Sequence, residues 1–289
     1  MQLEYLLMIV GSAFMHASYN ALMKTRARDY YLLSGFFVVA TLVAWGKVWW
    51  DGGLGTVPWQ ALPIVFLAAL FYVMYQMFCN KAYRMGDISS LYPLTVLGPV
   101  LIPVWAALFL SERLGLQAIA GILLTFLGAG CIKLNALSWK EVRRVFSRAG
   151  EYAGARWALA ASFVYSIGAI FDKACVGAFT GSAYLGFIIL FMTLNMLIAL
   201  GFTKDRPSIN LSSWPIVLVG GVALYLSFML FRTALKEVYV SIATPLRQVS
   251  ILFAMAFGVL ILRERIRATA VLGALLILVG VSCLALARH

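Results

Sequence analysis

The stretch ISSLYPLTVLGPVLIPVWAALFLSER, Ile88–Arg113, returns near the end of the chain as VSIATPLRQVSILFAMAFGVLILRER, Val240–Arg265. Each copy is an apolar run that carries proline and closes on Glu-Arg. Pro93 and Pro245 stand 152 positions apart. The same offset relates Ser89 to Ser241, Leu94 to Leu246, Glu112-Arg113 to Glu264-Arg265, Gly121 to Gly273 and Gly128 to Gly280. One offset shared by six landmarks reads as an internal duplication, and the rest of the chain is organised around it.

Of 289 residues, 63% are hydrophobic and 12% charged. Soluble domains carry about 25% charged residues, so this composition belongs to a membrane protein. The net charge of +12 sits mostly in short gaps between apolar runs. That is the pattern of cytoplasmic loops, and it argues against a nucleic-acid partner. Trp49-Trp50, Trp157 and Trp214 fall at run ends, where amphipathic rings suit the headgroup level. Cys79, Cys131, Cys175 and Cys283 are scattered singly through apolar runs; they fit no metal site, and neither a disulfide nor a cofactor is expected. The first run begins at Leu3 without a basic leader and is followed by basic residues rather than a small-residue cleavage site, so it reads as a retained span.

A bilayer core of about 30 Å needs about 20 apolar residues as helix. Ten runs qualify, near 3–24, 30–49, 61–82, 89–110, 115–134, 157–176, 183–202, 214–235, 241–262 and 267–287. The expected fold is therefore an all-α integral membrane protein of ten transmembrane helices. The one long gap, 135–156, contains Ser138-x-x-Glu141 as a capping box and reads as a basic amphipathic helix on the membrane surface. It separates a first unit, 1–134, from a second, 157–289. Five spans per unit is an odd number, so the second unit enters the membrane upside down. Inverted repeats of this kind place substrate near the mid-plane, at the interface of the halves. Most of the 23 Lys and Arg lie on the linker side, which puts 135–156 in the cytoplasm and both termini outside.

Polar residues inside spans are costly and point to a cavity or a partner helix. His16 and Asn20 are one turn apart in the first run, as are Tyr72 and Gln76 in the third. Both stripes read as cavity lining, with interhelical hydrogen bonding as the alternative. Arg247-Gln248 follow Pro245 about two turns, roughly 10 Å, into the ninth run. Arg247 reads as the deepest charge, and every acid falls at a span end or in a gap, so no carboxylate is expected to neutralise it. That favours an anionic or zwitterionic substrate, with Arg247 snorkelling or bonding freed carbonyls as the alternative. Tyr92, Tyr165 and Tyr225 are further candidate lining residues, and Pro93 and Pro245 candidate hinges. One histidine near neutral pH allows, but weakly supports, proton coupling.

Gly86-Asp87-Ile88-Ser89, Tyr92-Pro93-Leu94, Pro99 and Leu110-Ser111-Glu112-Arg113 resemble the EamA domain of the drug/metabolite transporter superfamily. Val240-Ser241, Thr244-Pro245-Leu246 and Glu264-Arg265 repeat that pattern, with Tyr239 standing where Asp87 does. His16–Lys24, HASYNALMK, is similar to the first span of many such proteins. The resemblance implies two five-helix EamA-like units, a central cavity and alternating access. It also implies cytoplasmic termini, against the charge count. The expectation is a monomeric secondary transporter, an exporter, of a small anionic or zwitterionic metabolite such as an amino acid. It would be a multi-pass protein of a cell membrane, the bacterial inner membrane. A flippase of the same fold is the alternative. A lipid-modifying membrane enzyme is disfavoured, because there is no Asp-rich cluster, histidine pair or metal spacing.

Overall fold

The computed structural model describes residues 1–24, 30–85, 91, 94, 97–132, 143, 154–180, 182–201, 214–260 and 267–287. The turn at Gly86-Asp87, Tyr92 and Pro93, most of the basic linker and Arg263–Arg265 lie outside them. Most of the described residues are helical, with no strand among them. The first half contains α1 (Leu3–Lys24), α2 (Tyr30–Trp50), α3 (Leu62–Arg84), α4 (Gly98–Phe109) and α5 (Leu116–Cys131). The second contains α6 (Ala155–Val176), α7 (Ala183–Gly201), α8 (Trp214–Glu237), α9 (Val240–Leu260) and α10 (Ala268–Leu286). Eight of the ten are long and apolar enough to cross a membrane; α4 and α5 are shorter apolar helices. Large hydrophobics such as Leu42, Leu108, Leu127, Ile198 and Leu275 point outward, as lipid-facing residues must. Trp49, Trp50, Trp59 and Trp214 are exposed at helix ends, where amphipathic rings suit the headgroup level.

Pairwise packing fixes the directions. Gly35 and Gly221 of α2 and α8 meet Val217 and Val39 in parallel register. Gly168 and Gly154 meet Phe71 and the Ala82 carbonyl, so α6 runs antiparallel to α3. In α5 and α10 the repeated glycines meet each other. A Cβ on Gly128 would lie 2.6 Å from the Gly273 carbonyl, and one on Gly121 would lie 2.8 Å from that of Gly280. Only backbones without side chains approach so closely. Each landmark glycine thus touches the repeat partner of the other, as a two-fold relation between halves requires. Thr41 and Thr193, also 152 positions apart, share a hydrogen bond of 2.8 Å on that axis. The halves are therefore inverted copies. Both chain ends lie on one face (the terminus face), and the 135–156 segment connects helices on the other (the linker face).

Proline shapes α9. Pro245 lacks the N–H that would bond to Ser241, and two residues later the helix tightens into a 3₁₀ turn, Arg247–Val249, before α-helix resumes at Ser250. Glu112 reaches across from the first half to cap this helix. Its carboxylate accepts the N–H of Val240 at 2.9 Å and of Ser241 at 3.2 Å, together with the Ser241 hydroxyl. A carboxylate there satisfies orphan donors and complements the helix dipole. Ser111, with φ of 56°, turns the chain so that Glu112 can point back into the protein. On the neighbouring helix end, the Lys173 ammonium donates to the carbonyls of Leu235 at 2.6 Å and Val238 at 3.0 Å. The break between α8 and α9 is thus held by one side chain of each sign.

Candidate functional site

The 3₁₀ turn presents Arg247 to the middle of the bundle, between α1 and α8. One guanidinium Nη donates to Ser227 Oγ at 2.8 Å and lies 3.4 Å from His16 Nδ1. That same imidazole nitrogen is 2.7 Å from the Tyr19 hydroxyl. Ser227 is fixed from below, since its Oγ donates to the Ser12 carbonyl at 3.0 Å and Ser12 Oγ donates to the Ser227 carbonyl at 2.7 Å. The guanidinium carbon stands 4.6 Å over the Phe231 ring. Its Nε is buried and has no hydrogen-bond partner, and no carboxylate pairs with Arg247 among the described residues. A buried charged donor left unsatisfied is costly unless something else binds it.

Toward the terminus face lies a second polar cluster, built on a fully buried acid. Asp172 pairs with Arg232, with Nη2 at 2.8 Å from Oδ2 and Nε at 3.1 Å from Oδ1. Tyr72 donates to Oδ2 at 2.8 Å, and Tyr184 donates to Oδ1. This corrects the expectation that every acid lies at a span end or in a gap. Asp172 is one turn inside α6 and has no exposed surface. It does not neutralise Arg247, because its hydrogen-bonding capacity is taken by Arg232 and two phenols. Among the described residues, Arg247 accordingly has no carboxylate partner. Tyr165 bridges the clusters in space. Its ring lies 5.8 Å from Tyr72 and 5.0 Å from Tyr75, and its hydroxyl is in electrostatic reach of both Arg247 and Asp172.

The structure brings together His16, Arg247, Tyr165 and Tyr72 from the residues singled out in the sequence. Asn20 is exposed one turn from His16, and its amide donates back to the His16 carbonyl at 2.7 Å. Gln76 is half-buried one turn from Tyr72. Tyr225 and Gln248 lie apart from the Arg247 cluster. Two residues along a helix is a rotation of about 200°, so Tyr225 faces away from Ser227, and it senses Lys47 and Asp51 at the end of α2. Gln248 instead lines a gap of about 10 Å³ with Pro99, Thr125 and Pro245. Tyr92 and Pro93 lie outside the described residues. Tyr19, Ser227, Asp172 and Arg232 are additions. A signal for two of them was present: the 152 offset carries Asn20 onto Asp172 and Asn80 onto Arg232, so two polar positions in one half match a charged pair in the other.

Two inverted repeats of apolar helices, eight of them long enough to cross a membrane, define the class, a multi-pass membrane protein. The model of the EamA-like transporter family matches residues 3–134 and again 152–286, and the chain belongs to that family. A comparison with curated proteins finds no match. Among 29 matching chains of solved structures, one crystal structure aligns with a TM-score of 0.78 at 16% identity, covering 98% of this chain and 96% of that one. At that identity the likeness shows the fold alone.

Proposed function

We propose that the protein is a secondary transporter of a small anionic or zwitterionic metabolite, such as an amino acid, and that Arg247 is the substrate's anchor. One observation carries the reading: a half-buried guanidinium in the middle of the bundle whose buried Nε is bare, without a carboxylate beside it among the described residues. A carboxylate or phosphonate of the substrate would complete it through the paired N–H groups that make arginine suited to such oxyanions. His16, Tyr19 and Ser227 would set the anion's position, and Tyr165 would flank it. The uptake and release cycle would follow from rocking of the spans around the two proline-containing helices, with Pro245 at the flexing point of α9.

The test is transport by the full chain in proteoliposomes, using labelled amino acids, organic acids, phosphonates and quaternary amines as probes. Arg247→Ala and Arg247→Lys should each abolish accumulation of the anionic or zwitterionic probe while leaving the melting temperature near wild type. Undiminished transport in both variants would remove Arg247 from the site. Export, the direction expected from the sequence, is read in the same vesicles by loading the probe inside. The expected orientation, with the linker in the cytoplasm, is checked by labelling single cysteines in 135–156 from either side of intact cells.

A further inference from the structure

The two halves are copies, yet they differ where the Asp172 cluster lies. Asp172 and Arg232 tie α6 to α8 one turn from their ends at the terminus face. The residues 152 positions earlier are Asn20 and Asn80, one turn from the ends of α1 and α3 at the linker face. The second-half helices touch through their charged pair, whereas α1 and α3 hardly meet. Asn20 is exposed, with its amide turned back onto its own helix, and Asn80 is half-buried. The terminus face is therefore latched, whereas among the described residues no bond between Asn20 and Asn80 ties the corresponding helices at the linker face. Glu112 adds to the first latch, since it joins the first half to the start of α9 on the same face.

Each half of an inverted repeat has a fold the other half can adopt, and exchanging the two conformations gives the opposite-facing state. We propose that Asn20 and Asn80 form the latch of the linker face, meeting side chain to side chain in the alternate state as Asp172 and Arg232 meet here. The latches differ in strength. An amide pair makes neutral hydrogen bonds, whereas the Asp172 cluster combines an ion pair with two phenol hydroxyls, and charge-assisted bonds are roughly twice as strong. The resting protein accordingly favours the state closed at the terminus face. Weakening the strong latch shifts the population toward contact between Asn20 and Asn80.

This inference rests on the transport reading, but its test needs neither a substrate nor Arg247. In the full chain in vesicles, with Cys79, Cys131, Cys175 and Cys283 replaced by serine, Asn20→Cys and Asn80→Cys are combined. They are treated with a short bifunctional methanethiosulfonate, and the linked peptides are quantified by mass spectrometry. Linking should be low with Asp172 intact and rise several-fold with Asp172→Asn. Yields that stay equal while each single cysteine labels with maleimide would overturn the latch. A second variant guards against misfolding in the first. Asn20→Asp with Asn80→Arg installs the strong pair at the linker face and should slow maleimide labelling of a Gln76→Cys reporter several-fold at an unchanged melting temperature. Unchanged labelling would likewise overturn it. A failed latch leaves the Arg247 transport assay untouched, whereas wild-type protein that moves none of the probes would sink the transport reading without altering the cross-link.

Discussion

Arg232, buried, and Arg247, half-buried, stand on neighbouring helices of the second half and live in opposite circumstances. Arg232 spends Nε and Nη2 on Asp172, whose oxygens also take two tyrosine hydroxyls. Arg247 has one serine hydroxyl, a long approach to an imidazole and a bare Nε. A saturated charge holds helices in place, whereas an unsaturated one keeps donors available to a ligand.

The comparison can be broken from the Arg232 side. Asp172→Ala strands Arg232 without a counter-charge, and removal of one partner of a buried pair costs about 3–5 kcal/mol. The thermal unfolding midpoint in detergent should fall sharply, and Asp172→Ala with Arg232→Ala together should recover much of the loss. A wild-type midpoint in the single variant would mean that Arg232 is no more structural than Arg247. Next comes the packing that lets the two halves meet. Gly128→Leu forces a side chain against the Gly273 carbonyl and Ile277, an overpacking cost of about 1–3 kcal/mol. Gly130→Ala, where no atom lies within 4 Å of a built Cβ, should leave the midpoint unmoved. Glu112→Gln keeps the shape of the cap on α9 but removes its charge, for about 1 kcal/mol of stability. Its effect should be visible as faster amide exchange at Val240 and Ser241.

The smallest effect lies outside the membrane. Hydrogen bonding from Lys47, and then from Ser182, holds the Asp51 carboxyl below its usual range. A depressed carboxylate pKa gives stability that is present above the ordinary range and lost as pH falls through the depressed value. Asp51 lies at the surface in an exposed ion pair, so Asp51→Asn should only flatten a shallow acid-side slope in a pH series of melting curves.

The scaffold was legible because duplication writes itself twice. The landmarks Gly121, Gly128, Gly273 and Gly280 gave the repeat from spacing alone, and the structure adds that they touch one another across the halves. Ten apolar runs were equally legible, since hydrocarbon demands length and apolarity from every span. The site was legible in part. Arg247 and His16 stand out as costly residues in apolar runs, but Ser12, Tyr19 and Ser227 look like ordinary small or aromatic members of a membrane helix. Asp172 was misplaced because it lies close to a run end in sequence, where an acid is usually solvated. Only the packing of α3, α7 and α8 around α6 makes it interior. Gln248 neighbours Arg247 in sequence, yet a single step in a tight turn swings it toward α5 and away from the cluster.

The central claim is that Arg247 is completed by an anion. The direct measurement is the melting temperature of the purified full chain, wild type and Arg247→Ala, against amino acids, organic acids, phosphonates and quaternary amines at fixed pH and ionic strength. The account predicts that at least one carboxylate- or phosphonate-bearing compound raises the wild-type midpoint and leaves the variant unmoved. Stabilisation of the wild type by quaternary amines alone, or equal stabilisation of both proteins by the same anion, would contradict it.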